Sequence, residues 1–181
     1  MSLPVKLLKK GLNVQPMLDA LHAHPDVWDV RTLRTEGKDS PHYGLSDIWA
    51  RFAVDVPDYN APHESIWYDD VCNVLPIKEL CTEVLELFPG QLGGVLITKI
   101  KSGKLCRPHI DTGWHAKYYD KVAVSLAADS QQAFCFDDAF LITEPGDAFW
   151  FDNSFSHWVP NISKDDRITA IFCIRPDTKD H

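Results

Sequence analysis

His109-Ile110-Asp111 sets an imidazole and a carboxylate two positions apart, in a stretch from Leu105 to Asp111 whose composition predicts a strand. Residues i and i+2 of a strand share a face, so the two groups converge on one point. Such a pair suits a borderline divalent metal, and a second imidazole would complete a facial set that leaves coordination positions open. The triplet alone is a weak signal, because eight histidines and twenty aspartates in 181 residues leave about one to chance. His24-Pro25-Asp26 is a second instance, but its proline and the helical pattern before it predict a helix-terminating turn.

The surroundings raise the first triplet above chance. His157 follows in Phe151-Asp152-Asn153-Ser154-Phe155-Ser156-His157, at the start of a late strand. Arg167 then opens the last strand, across the polar turn Ser163 to Asp166. If Arg167 points inward it needs a carboxylate partner, because an unpaired buried charge is costly. A dicarboxylate ligand would supply one, and the planar guanidinium fork suits it.

The order His-x-Asp, distal His, then Arg resembles the 2-oxoglutarate and Fe(II)-dependent dioxygenases, and within them the aspartyl/asparaginyl β-hydroxylase family. The likeness is carried by Arg107 to Asp111, Phe151 to His157, and Asp166-Arg167-Ile168-Thr169-Ala170-Ile171-Phe172, and spans roughly 95–176. By that resemblance His109, Asp111 and His157 hold iron, and Arg167 holds the far carboxylate of 2-oxoglutarate. Thr98 and Lys121 are its other expected cosubstrate contacts. A histidine that relatives place on the strand after the motif is Ala123 here. The activity implied is hydroxylation of a C–H bond by dioxygen, coupled to decarboxylation of 2-oxoglutarate to succinate. Its substrate would be a small molecule or a peptide: an amino acid or an Asp/Asn-type side chain. The second reading is a cupin-like metal-binding domain, to which Pro145-Gly146 and His157-x-x-x-Asn161 are similar. Cupins usually carry His-x-His with a nearby glutamate, and neither they nor a role for Arg167 fit this chain.

The elements that must position these groups fall in two parts. Gln15–His24 and Pro76–Phe88 have helical periodicity, and Trp28–Leu33 and Ile48–Val54 alternate as strands do. Thr35–Ser46 and Asp55–Asp70 read as long loops, of a kind that is often functional. From Gly94 on, eight short strands separated by turn signals follow: 95–100, 105–111, 122–127, 133–136, 140–143, 147–151, 157–160 and 167–175. The fold expected is mainly β, a double-stranded β-helix or jelly roll with flanking N-terminal helices on one sheet. It is read as a single domain over 1–181, with 1–90 supporting a metal-bearing core in 91–181. Trp114, Tyr118 and Tyr119 are expected in a lid, His115 in a solvated loop, and Cys106 as a buried strand cysteine.

Eighteen basic against twenty-six acidic residues give a net charge of −8. That disfavours nucleic acid and anionic membranes as partners, since phosphate binding needs clustered Lys and Arg. Lys6, Lys9 and Lys10 read as a solvated end. No apolar run nears the roughly 20 residues that span a bilayer, and the start lacks a secretory signal. Five scattered cysteines without Cys-x-x-Cys fit a reducing compartment, so a cytoplasmic location is expected.

Overall fold

A computed structural model describes residues 3–54, 56, 58 and 61–177. The N-terminal part gives β1 (Val5–Lys9), α1 (Gln15–Ala23), β2 (Ser46–Phe52), β3 (Ile66–Trp67), α2 (Asp69–Cys72) and α3 (Ile77–Leu87). The rest gives β4 (Gly90–Ile100), β5 (Leu105–His109), α4 (Gly113–Tyr118), β6 (Asp120–Ala127), β7 (Ala133–Phe136), β8 (Phe140–Ile142), β9 (Ala148–Phe151), β10 (His157–Pro160) and β11 (Arg167–Pro176).

The strands form a larger sheet in the order β1-β9-β6-β11-β4-β2-β3 and a smaller one in the order β5-β10-β7-β8. Every pairing is antiparallel. The eight strands from β4 to β11 alternate between sheets in the manner of a double-stranded β-helix, with β1, β2 and β3 extending the larger sheet. Both helices predicted to pack outside do so. Met17 and Leu21 of α1, and Ile77, Leu80, Cys81 and Val84 of α3, join Val95, Ile97, Val122, Val124 and Phe172 in one buried cluster. A large aliphatic side chain buried there contributes about 1.5–3 kcal/mol. The opposite face of the larger sheet meets the smaller sheet through Ala123, Phe134, Phe136, Phe149, Phe151 and Val159. The two sheets frame the site between them.

Two N-terminal expectations fail for physical reasons. Trp28–Leu33 is not a strand. Asp29 takes φ +60, a left-handed conformation that ends extended backbone, and Arg31 reaches across to Asp70. The basic start is not merely a solvated end: it forms β1, pairing with β9 at the sheet edge. Its lysines stay exposed, which guards an edge strand against further pairing.

Gly146, at φ +87, turns the chain between β8 and β9 where a Cβ would collide with the backbone of Leu12. The Gly146 carbonyl accepts from Leu12 N–H at 2.9 Å, which ties the N-terminal segment to the core. Gly146→Ala is expected to cost more than about 1 kcal/mol, read as a lower thermal midpoint. An unchanged midpoint would contradict the close approach.

Candidate metal centre

His109 ends β5 and His157 begins β10, and the two are direct partners across the smaller sheet, their ring centroids 4.4 Å apart. Asp111 follows two residues past His109, with its Oδ1 at 3.4 Å from His109 Nε2. One ligand atom from each of the three lies within 4.8 Å of the other two, close enough to share an ion. Local hydrogen bonds set the useful tautomers. His109 Nδ1 is 2.7 Å from the Arg107 carbonyl and His157 Nδ1 is 2.9 Å from that of Phe155. A carbonyl only accepts, so both rings donate through Nδ1 and leave the Nε2 lone pair to a metal.

Burial lowers the His157 pKa, and the Phe155 carbonyl offsets this only in part, so the ring is neutral at neutral pH. Its walls are Phe134, stacked at 5.6 Å, with Phe136 and Phe151. Burial opposes ionisation of Asp111, but the neighbouring His109 ring and the Lys121 ammonium outweigh it and hold the carboxyl below the usual carboxylate range. Asn153 fixes its orientation: its carbonyl accepts from Asp111 N–H at 3.1 Å, and its amide nitrogen is 3.4 Å from Asp111 Oδ2. The motif before His157 thus serves Asp111 as well.

A cavity of about 70 Å³ runs inward from the three side chains, bordered also by Thr98, Lys121, Phe134 and Arg167. Alternation along β11 turns Arg167, Thr169 and Ile171 to this side. Arg167 is 1% exposed. Its Nη1 donates to the Gln132 carbonyl at 3.2 Å, while its Nη2 has no partner. Burial lowers its pKa to about 10, so the charge is kept at neutral pH, while no carboxylate among the described residues lies within ion-pair distance. Thr98 borders the cavity with its hydroxyl donated to Asp47 at 2.9 Å. Lys121 Nζ lies 3.0 Å from Cys173 Sγ. The burial that works against its charge is outweighed by Cys173 and Asp111.

The sequence reading missed a network from residues 34–47. Arg34 pairs with Asp47 through Nε at 2.6 Å and Nη2 at 3.1 Å, and donates from Nη1 to His42 Nε2 at 2.9 Å. It also contacts Thr98 Oγ1. A guanidinium only donates, so His42 accepts at Nε2 and carries its proton on Nδ1. His42 packs edge-on against His109 at 4.7 Å. Arg107 anchors the loop by donating to the carbonyls of Lys38 and Ser40. The available signals were a histidine in a long polar loop and an aspartate inside an apolar run.

Other expectations divide. His115 is half-buried on α4 rather than in a solvated loop: it sits among Phe52, His63 and Tyr119 and accepts from Gly94 N–H at 3.3 Å. Burial lowers its pKa to about 3. The lid region is the short helix α4, and Tyr119 is buried beneath Gly93. Cys106 is buried in β5, and burial pushes its thiol up to about 12, which rules out a thiolate nucleophile at neutral pH. His24 caps the end of α1 and Pro25–Val27 is a single 3₁₀ turn, as expected for that triplet. Asn161, shared with the cupin pattern, is spent on structure, donating to the carbonyls of Ile100 and Asp165.

The donor set fits Fe(II): two imidazoles and one carboxylate grouped on one side, beside a buried guanidinium nitrogen without a partner among the described residues. No protein-family model and no curated protein matches the chain. Among solved structures it is similar to the viral collagen prolyl hydroxylase of Paramecium bursaria Chlorella virus-1, in complex with 2OG. That match has 12% identity over 96% of each chain and a TM-score of 0.56. It is also similar to a 2OG-Fe(II) oxygenase family oxidoreductase of Burkholderia pseudomallei, at 12% identity over 73% of this chain and 68% of that one, with a TM-score of 0.52. A cupin domain from Bordetella pertussis superposes over 47% of this chain and 83% of that one, at 14% identity and a TM-score of 0.38, too slight a likeness to argue from. At such identities the first two establish the fold: the chain folds as a double-stranded β-helix of the architecture those oxygenases share.

Proposed function

We propose that this chain is a 2-oxoglutarate- and Fe(II)-dependent oxygenase that hydroxylates a C–H bond of an amino acid or an Asp/Asn-type side chain, releasing succinate and CO2. The observation that carries the reading is the pairing of a His-Asp-His group with a buried, half-satisfied Arg167 on one cavity. His109, Asp111 and His157 would hold the iron. When bound, iron supplies open coordination positions for 2-oxoglutarate and dioxygen, and the oxidising power that cosubstrate decarboxylation releases.

The protein's own residues bind, orient and exclude water. Arg167 offers its free nitrogen to the far carboxylate, and the depth of the cavity sets the distance between that carboxylate and the keto acid end. Lys121 adds positive charge on the same cavity, and Thr98 borders it with a hydroxyl already held by Asp47. Phe134, Phe136 and Phe151 keep the His157 side dry, which strengthens each charged contact and protects reactive species from water. The five cysteines remain free thiols, in keeping with the reducing, cytoplasmic setting that this reading brings with it.

Arg167→Ala is expected to raise the 2-oxoglutarate concentration for half-maximal succinate release more than tenfold, the equivalent of about 1.4 kcal/mol for a charge-assisted pair. Succinate release would be measured with Fe(II) and ascorbate over a panel of amino acids and peptides. Unaltered cosubstrate dependence in the variant would remove Arg167 from the site, and no succinate release by the parent protein with any member of the panel would count against the activity.

A further inference from the structure

Among the described residues, five buried side-chain polar atoms have no hydrogen-bond partner: Trp49 Nε1, Arg51 Nε, His63 Nε2, Ser65 Oγ and Arg167 Nη2. Folded proteins leave few such atoms, and each asks for a physical reason. These five are not scattered. Arg167 borders the deep cavity, and Trp49 borders the wider mouth where His109, Asp111 and His115 are reached from outside. Arg51, His63 and Ser65 border a neighbouring groove of about 560 Å³.

The groove and the mouth share one wall of rings. Phe52 and His115 face the mouth, while His63 and Trp114 face the groove. The His63 ring stacks on His115 at 5.7 Å and meets Phe52 at 5.0 Å and Trp114 at 5.2 Å. Trp114 is three residues past Asp111 in the chain, so the groove lies within one short helix of the metal centre.

The polarity of the free atoms narrows the ligand. Trp49 Nε1 and Arg51 Nε can only donate. Arg51 Nη1 is engaged with the Gly93 carbonyl at 2.8 Å, which leaves the Nε edge over. Ser65, 8% exposed, can donate or accept. His63 Nδ1 is 2.9 Å from the Ala61 carbonyl, so that nitrogen donates and Nε2 is the acceptor of that tautomer. The complementary molecule therefore offers oxygen acceptors to Arg51 together with an N–H donor, for which Glu64 on the same groove is a second acceptor. A hydrocarbon lacks both. The main chain of an amino acid or peptide has both.

We infer that this groove is the substrate-anchoring site, and that it binds an amino-acid main chain through a carboxyl or carbonyl oxygen at Arg51 and Ser65 and an N–H at His63. The inference deepens the oxygenase reading, on which the word substrate rests. The anchored main chain leaves a side chain free to turn past His115 toward the metal centre.

The test uses the full chain loaded with Zn(II) and 2-oxoglutarate, titrated with the free L-amino acids and, separately, with their N-acetyl-N-methylamides. At least one compound is expected to shift the Trp114 indole N–H and His63 ring resonances on saturation. Binding of the free form alone identifies an amino acid substrate, and binding of the blocked form alone a peptide; either supports the site. Ser65→Ala, and His63→Phe, which keeps the ring wall, are each expected to weaken that binding about tenfold, the loss of one buried hydrogen bond. Binding unchanged in both variants, or no shift with any compound, overturns the groove. Succinate release by the Fe(II) form separates the two claims. Turnover stimulated by a compound and insensitive to both substitutions sinks the groove and leaves the oxygenase. Groove binding without any cosubstrate turnover does the reverse.

Discussion

Replacing His109 or His157 by alanine, or by glutamine to preserve volume, is expected to abolish stoichiometric metal binding while the far-ultraviolet spectrum stays that of the parent β protein. The two imidazoles sit opposite each other at the end of the smaller sheet, and with Asp111 they supply every protein donor of the group. Loss of an outer partner of a metal ligand costs about 10–100-fold in affinity, so loss of a ligand itself costs more. Asn153→Ala, which frees the Asp111 carboxylate but leaves it in place, falls in that milder range. His157 is the harsher site for alanine because it is enclosed by Phe134, Phe136 and Phe151, and the glutamine variant separates a lost ligand from a lost packing group. Anaerobic Fe(II) titration by calorimetry checks the result. One equivalent bound by both His157 variants would refute the ligand assignment.

Arg34→Met is expected to destabilise the protein by about 3 kcal/mol, because it leaves the Asp47 carboxylate buried without its cation. Asp47 is 1% exposed and would retain, among the described residues, only the Thr98 hydroxyl as a side-chain partner. The Arg34 side chain is 24% exposed, which places the effect at the low end for a buried pair. Replacing both partners, as Arg34→Met with Asp47→Leu, should recover most of the loss, since no unpaired charge is left inside. Chemical denaturation of the two single variants and the double variant checks the cycle. The double variant is also expected to loosen His42 from His109, so iron affinity should fall even where stability returns. A double variant no more stable than Arg34→Met would contradict a role confined to charge pairing.

The contrast between these two sites explains what the sequence could disclose. Most of the eight core strands were legible because they are rich in β-branched and aromatic residues and closed by turn signals; β7 and β10 have the bounds that pattern predicts. Strands β4 and β11 run longer than read, β4 beginning at Gly90, because their ends pair with each other where glycine masks the alternation. Strand β1 was hidden by its lysines, whose outward side chains at a sheet edge look like a solvated tail. The metal group was legible since its three members lie on or beside regular strands, where spacing fixes direction. Arg34, His42 and Asp47 were not, because only tertiary folding brings a loop against β5 and converts an ordinary polar stretch into a buried network. Alternation does not register such a contact, nor the helical turn of α4 after Gly113.

The central claim is that His109, Asp111 and His157 share one ion at the head of a cavity closed by Arg167. Anaerobic addition of 2-oxoglutarate to the Fe(II)-loaded protein tests it directly, because only chelation of the metal by the keto acid gives a visible charge-transfer band. The expected result is a weak band that saturates at one equivalent of cosubstrate per iron and needs more than tenfold higher 2-oxoglutarate in Arg167→Ala. Stoichiometric iron with no band at saturating 2-oxoglutarate would contradict the account.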